Sequence, residues 1–163
     1  MTKANEVMKE AVVQDVDEAV EKAPRNVIDI LLGGDVGAVR LPTKQYEIKR
    51  LSEIYGSPFV VTLKALSAEK WEEVQDMSLS IRGKDVDVNS NLMQIFIVME
   101  SVYSDPEAKS LLFKNPELKA KFNAKTPKEL VRKILLSGEI MHIYDMVSEL
   151  SGFGDDAVTE IKN

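Results

Sequence analysis

The side chains in this sequence that could move protons or hold ligands are few. Its one histidine, His142, lies three residues from both Glu139 and Asp145, a spacing that puts all three on one helical face. Such a row could relay protons, but solvated charges are the commoner use of that spacing. No cysteine is present, which removes disulfides, thiolate metal sites and cysteine nucleophiles together. A single histidine leaves no histidine-based metal cage. Gly33-Gly34-Asp35 with Gly37 lacks both the Gly-Lys-Ser/Thr ending of a phosphate loop and the GxGxxG spacing, and reads as a plain loop. Asp85-Val86-Asp87-Val88-Asn89 alternates like a metal loop, but Gly83 precedes the acids and no glutamate closes the loop, so a calcium site fails. Glu69, Glu72, Glu73 and Asp76 make an acidic helix face, a solvated surface by default. Lys119, Lys121, Lys125, Lys128, Arg132 and Lys133 form a basic row with only Phe122 interleaved, poor material for gripping nucleic acid. The reading is no catalytic residue, no cofactor or cofactor-binding residue, and no metal ligand.

The elements that would have to position any site begin from ordinary material. The chain has 163 residues, 44% hydrophobic and 29% charged, enough for one domain with a real core. Twenty-seven acids against 21 bases give a net charge of −6, which argues against nucleic acid as a partner. No apolar run reaches the roughly 18–20 residues of a membrane span, and the acidic start is unlike a signal peptide. A soluble intracellular protein with no membrane partner is expected. Charge is uneven: residues 105–136 carry net +4 and 137–163 net −5, which predicts neighbouring helices that attract.

Residues 1–24 read as an N-terminal extension, a weakly amphipathic helix or arm with Met8, Val12, Val16 and Val20 every fourth residue. Residues 25–163 read as one domain. Asn26 to Leu32 is a short apolar turn or helix. Tyr46, Ile48 and Leu51 with charged residues between them predict a strand over about 44–51. Phe59-Val60-Val61-Thr62-Leu63 predicts a second over about 58–64. An antiparallel hairpin follows, and it must pack on helices or gain a strand. From Ser67 to about 162 helices are expected. Ser67 caps the first, with Trp71, Val74 and Met77 or Leu79 as its buried stripe. Arg82-Gly83-Lys84-Asp85 is a polar turn and Asn89 caps a central buried helix over Asn91–Tyr103. Asp105-Pro106, Asn115-Pro116 and Thr126-Pro127 each predict a helix start. Ser137 caps the last strong helix, closed by Gly152. The fold class is α+β, mainly helical, with one antiparallel hairpin near the N-terminal third. Met8, Val12, Val16 and Val20, and Met141 and Met146 on the last helix, are the candidate apolar surface for a partner, the alternative being that both stripes dock on the chain's own core.

The order of segments resembles the XkdN-like tail assembly chaperones of bacteriophages and prophages. The resemblance is carried by Leu41-Pro42-Thr43 with Tyr46 to Leu51, Phe59 to Ser67, Thr126 to Val131, Ser137-Gly138-Glu139-Ile140, Leu150 to Gly154, and a Lys162-Asn163 ending. It implies a non-enzymatic role in the host cytoplasm during tail morphogenesis. The implied partners are the tape-measure protein, held soluble, and the tail-tube protein, recruited around it. Such proteins are not expected in the finished virion. Self-association, or pairing with a frameshifted longer product, is a further partner that the family allows. Two other classes fit the same residues: a structural tail or connector subunit retained in the particle, and a host-directed regulatory module.

Overall fold

The computed structural model describes residues 26–162, so Met8, Val12, Val16 and Val20 lie outside the described residues. The chain divides into two compact units, Met1–Arg40 and Leu41–Asn163, each taken by itself below.

In the first unit, helix α1 (Val27–Gly33) starts where the Asn26 side chain accepts the Ile28 N–H at 2.9 Å, an N-cap by an asparagine oxygen. None of its residues is buried. The glycine stretch then forms a 3-10 turn, Val36–Ala38, begun by the Asp35 carboxylate, which accepts from Gly37 N–H.

The second unit is a mainly helical α+β domain. Strand β1 (Thr43–Glu47) pairs antiparallel with β2 (Val60–Lys64), Thr43 opposite Lys64 and Glu47 opposite Val60. The connection corrects the expected hairpin. Residues Lys49–Tyr55 are a helix, α2, not the end of a strand. Ile48 and Leu51 are both buried, and their spacing of three suits a helical face as well as a strand's alternation suits Tyr46 and Ile48. Gly56, at φ +63°, closes α2 with its N–H on the Ser52 carbonyl, a left-handed position that glycine fills without strain. Ser52 Oγ in turn accepts the Phe59 N–H at 2.8 Å, which starts β2.

Strand β2 is the middle of the first sheet. Its other side pairs with β5 (Val102–Tyr103), with Leu63 opposite Val102. Val61, Thr62 and Leu63 are buried on both faces, the burial that a continuous β-branched run anticipates. Helix α3 (Ala68–Met77) is capped by Ser67, whose oxygen accepts Lys70 N–H at 3.1 Å. Val74 is buried, but Met77 and Leu79 stand exposed, so they are not its buried stripe. The expectation of helices throughout from Ser67 is also corrected. A second hairpin, β3 (Leu79–Arg82) and β4 (Asp85–Val88), flanks Gly83-Lys84, with Gly83 at φ +65° as a two-residue turn requires.

Helix α4 (Ser90–Ser101), capped by Asn89, carries Met93, Ile95, Ile97, Val98 and Met99 into the core. Asp105-Pro106 does not begin a helix. The Asp105 carboxylate collects the N–H groups of Lys109 and Ser110, at 3.0 and 2.8 Å, and closes a loop with Ala108 at φ +52°. Local side-chain bonding of this kind competes with helix formation. A 3-10 turn, Leu112–Lys114, follows. Helices α5 (Pro116–Lys121) and α6 (Pro127–Ile134) do start at their prolines, under Asn115 and Thr126. The last helix, α7 (Ser137–Ser148), is capped at Leu136 rather than Ser137. The Glu139 carboxylate reaches back to accept the Leu136 N–H at 2.8 Å. A π-turn, Glu149–Phe153, ends it with Gly152 at φ +93°. Helix α4 packs against α3, α6 and α7, and β2 packs on α7. Phe113, Leu130, Val131 and Val147 complete a shared core.

Candidate functional site

The possible proton relay is the first arrangement to place. Glu139, His142 and Asp145 all lie on α7, with His142 and Asp145 exposed. Glu139 turns away to Arg50 of α2, which holds it with Nη2 at 2.8 Å from one oxygen and Nε at 3.1 Å from the other. Arg50 Nη2 also donates to the Ile134 carbonyl at 2.7 Å. The Arg50 hydrogen bonds hold the Glu139 carboxyl below the usual carboxylate range, against partial burial, and the Leu136 N–H adds to the effect. Glu139 is therefore tied to structure. Asp85 and Asp87 stand on the polar face of the β3–β4 hairpin with Ser80 and Arg82. Among the described residues, no group of three or more His, Asp or Glu side chains could hold a metal.

The basic row is partly consumed by the fold. Lys133 Nζ donates to the carbonyls of Phe122 and Asn123, at 2.9 and 3.0 Å, and ties α6 to the end of α5. Among the described residues, no close ion pair joins basic residues 105–136 to the acidic residues 137–163. The long-range ion pairs run instead from Arg50 to Glu139 and from Lys70 and Lys114 to Glu100.

Apolar surface is the remaining material. On α7 the structure separates the two methionines of the sequence reading. Met141 is 48% exposed, while Met146 packs against the core. Five residues apart, they point roughly 140° from each other around the helix.

Two apolar surfaces escaped the sequence reading. The β3–β4 register puts Leu79 opposite Val88 and Ile81 opposite Val86, so four apolar side chains share one face. All four are exposed, Ile81 by 74%. The signal was the alternation Leu-Ser-Ile-Arg and Asp-Val-Asp-Val around Gly83-Lys84. The second surface is a groove of about 250 Å³ lined by Tyr55, Phe59, Leu112, Leu118, Lys121, Phe122 and Ile134. Its walls come from five separate parts of the chain, so no local pattern announces it.

The class these elements define is a mainly helical α+β domain with two small antiparallel sheets. Within it the chain belongs to the phage XkdN-like tail assembly chaperone proteins, whose family pattern matches residues 28–162. The fold is also similar to the crystal structure of the protein yqbn, a structural genomics target, with TM-score 0.57 and 18% sequence identity. That match covers 81% of this chain and 100% of the other. No curated protein matches the sequence.

Proposed function

We propose that this tail assembly chaperone works without catalysis in the host cytoplasm, holding the tape-measure protein soluble and bringing tail-tube subunits to it. It leaves before the particle is finished. The observation that carries the reading is the β3–β4 hairpin, whose Leu79, Ile81, Val86 and Val88 side chains share an uncovered face. A soluble protein tolerates such a patch up to roughly a few hundred Å², and its net charge of −6 keeps copies apart by mutual repulsion. Many weak contacts of this size along one long client sum to firm retention, while each copy stays displaceable when tube subunits arrive.

Co-expression tests it. The tape-measure protein of the same phage or prophage should move from the insoluble to the soluble fraction when this protein is present. Purified tails should lack the protein on mass spectrometry. An insoluble tape measure despite abundant chaperone, or stoichiometric chaperone in mature tails, overturns the proposal.

A further inference from the structure

We infer that the groove between α2, α5 and α6 is a docking site for an apolar helix of the tape-measure protein flanked by acidic residues. The inference rests on the function proposed above and adds which surface of the domain, and which chemistry of the client, make a contact.

The shape comes first. A hole of roughly 150 Å³ already admits a benzene-sized group, so an opening of about 250 Å³ accepts one or two branched aliphatic side chains. Its lining is apolar apart from the Tyr55 hydroxyl and the Lys121 ammonium. Much of the backbone around it is already paired. Phe59 donates to Ser52 Oγ and accepts from Ile48, and the carbonyls of Ile134 and Phe122 accept from Arg50 and Lys133. The occupant therefore finds little backbone to bond. A helix, which satisfies its own backbone and presents apolar anchors three or four residues apart, meets that condition. An extended strand does not.

Charge supplies the second half. Among the described residues, Lys121 is the one charged residue lining the groove, and residues 105–136, which supply three of its five parts, carry net +4 in a chain of net −6. Acidic residues beside the apolar anchors are steered to this face, and basic ones are repelled. Tyr55, which lines the groove, is 60% exposed, and an exposed aromatic side chain offers apolar area to an incoming helix.

Two measurements decide it. The first uses two fluorescent amphipathic helical peptides sharing one leucine stripe, one flanked by Glu and the other by Lys. The Glu-flanked peptide should bind about three- to fivefold more tightly, the scale of an exposed ion pair. Added NaCl should erode the difference, and Lys121→Glu should reverse it. Equal binding, or a preference that survives Lys121→Glu, overturns the inference. The second measurement repeats the tape-measure co-expression with Tyr55→Asp. Soluble tape measure should be lost while the thermal midpoint of the chaperone is kept. If Tyr55→Asp lowers that midpoint, the exposed Lys121→Glu variant decides through the peptide preference. Should wild type hold the tape measure and Tyr55→Asp hold it equally, the groove assignment alone falls. Should wild type fail, the proposed function itself falls. Self-association of the free protein that disappears in Tyr55→Asp would assign the groove to a second copy and overturn the inference.

Discussion

Arg50 on α2 clasps Glu139 on α7 across 89 residues of sequence, with both guanidinium Nη2 and Nε on the carboxylate. The same guanidinium bonds the Ile134 carbonyl, so one side chain joins the connection between β1 and β2, the end of α6 and the start of α7. Lysine cannot reproduce that fork, because its ammonium is a point charge. Arg50→Lys should lower the thermal midpoint, and Glu139→Gln should lower it through the same bonds. A midpoint unchanged in both variants would show that the clasp is ornamental.

Acid should weaken the fold through Glu139 with a predictable sign. Its carboxyl is held below the usual range in the folded chain, by Arg50 first. A depressed folded pKa contributes stability that is complete above the unfolded value, about 4.3 for a glutamate, and fades as pH falls through the folded value. Asp105 behaves alike, its carboxyl lowered chiefly by the Ser110 N–H. Urea midpoints between about pH 5 and pH 2 should fall less steeply in Glu139→Gln and Asp105→Asn than in wild type. Parallel slopes would assign the acid limb to other groups.

Phe113 is fully buried in the shared core. Phe113→Ala should cost about 3–5 kcal/mol, and the more volume-conserving Phe113→Leu less than about 1.5 kcal/mol. Urea unfolding checks both. A loss below about 1 kcal/mol for the alanine variant would mean the site collapses without leaving a cavity.

The hairpin face should behave oppositely. Ile81→Glu replaces an exposed side chain, so stability should stay within about 0.5 kcal/mol of wild type, while soluble tape measure falls in co-expression. The α7 methionines offer the same contrast within one helix. Met146→Glu puts a charge against the core and should cost about 1–3 kcal/mol, whereas Met141→Glu should cost less than about 0.5 kcal/mol. Equal losses at the two methionines would erase the distinction drawn from their burial.

His142→Ala should leave tape-measure solubility intact, since the ring is exposed and its neighbour Glu139 is engaged by Arg50. A folded His142→Ala variant that fails only in tail assembly would restore a chemical role for the α7 row.

Elements set by neighbouring residues were legible in the sequence. Asn115-Pro116 and Thr126-Pro127 cap and start their helices, and the Val60–Leu63 run is a buried strand, because each is decided within a few residues. Leu51 misled because Tyr46 and Ile48 alternate as in a strand, while Leu51, three residues on, already belongs to the helix that Gly56 closes. Asp105 misled because capping a helix and closing a loop use the same carboxylate, and only the Ser110 N–H shows which occurred. The Leu79 to Val88 hairpin is written in the alternation on either side of Gly83-Lys84, although the polar Arg82-Gly83-Lys84-Asp85 by itself spells only a turn. The groove was not readable, since Tyr55 and Ile134 meet only after the whole domain has folded.

The strand order β1–β2–β5 sets a clock for local opening. Strand β5 runs straight on from α4, Ser101 to Val102, so freeing the β5 side of β2 means disturbing the most buried helix of the domain. Amide hydrogens of Thr62 and Leu63 should therefore exchange with solvent more slowly than those of the two-stranded β3–β4 sheet, where smaller openings suffice, and amide exchange rates check that order. In that order of opening, the readiest element is the one that carries the uncovered apolar face.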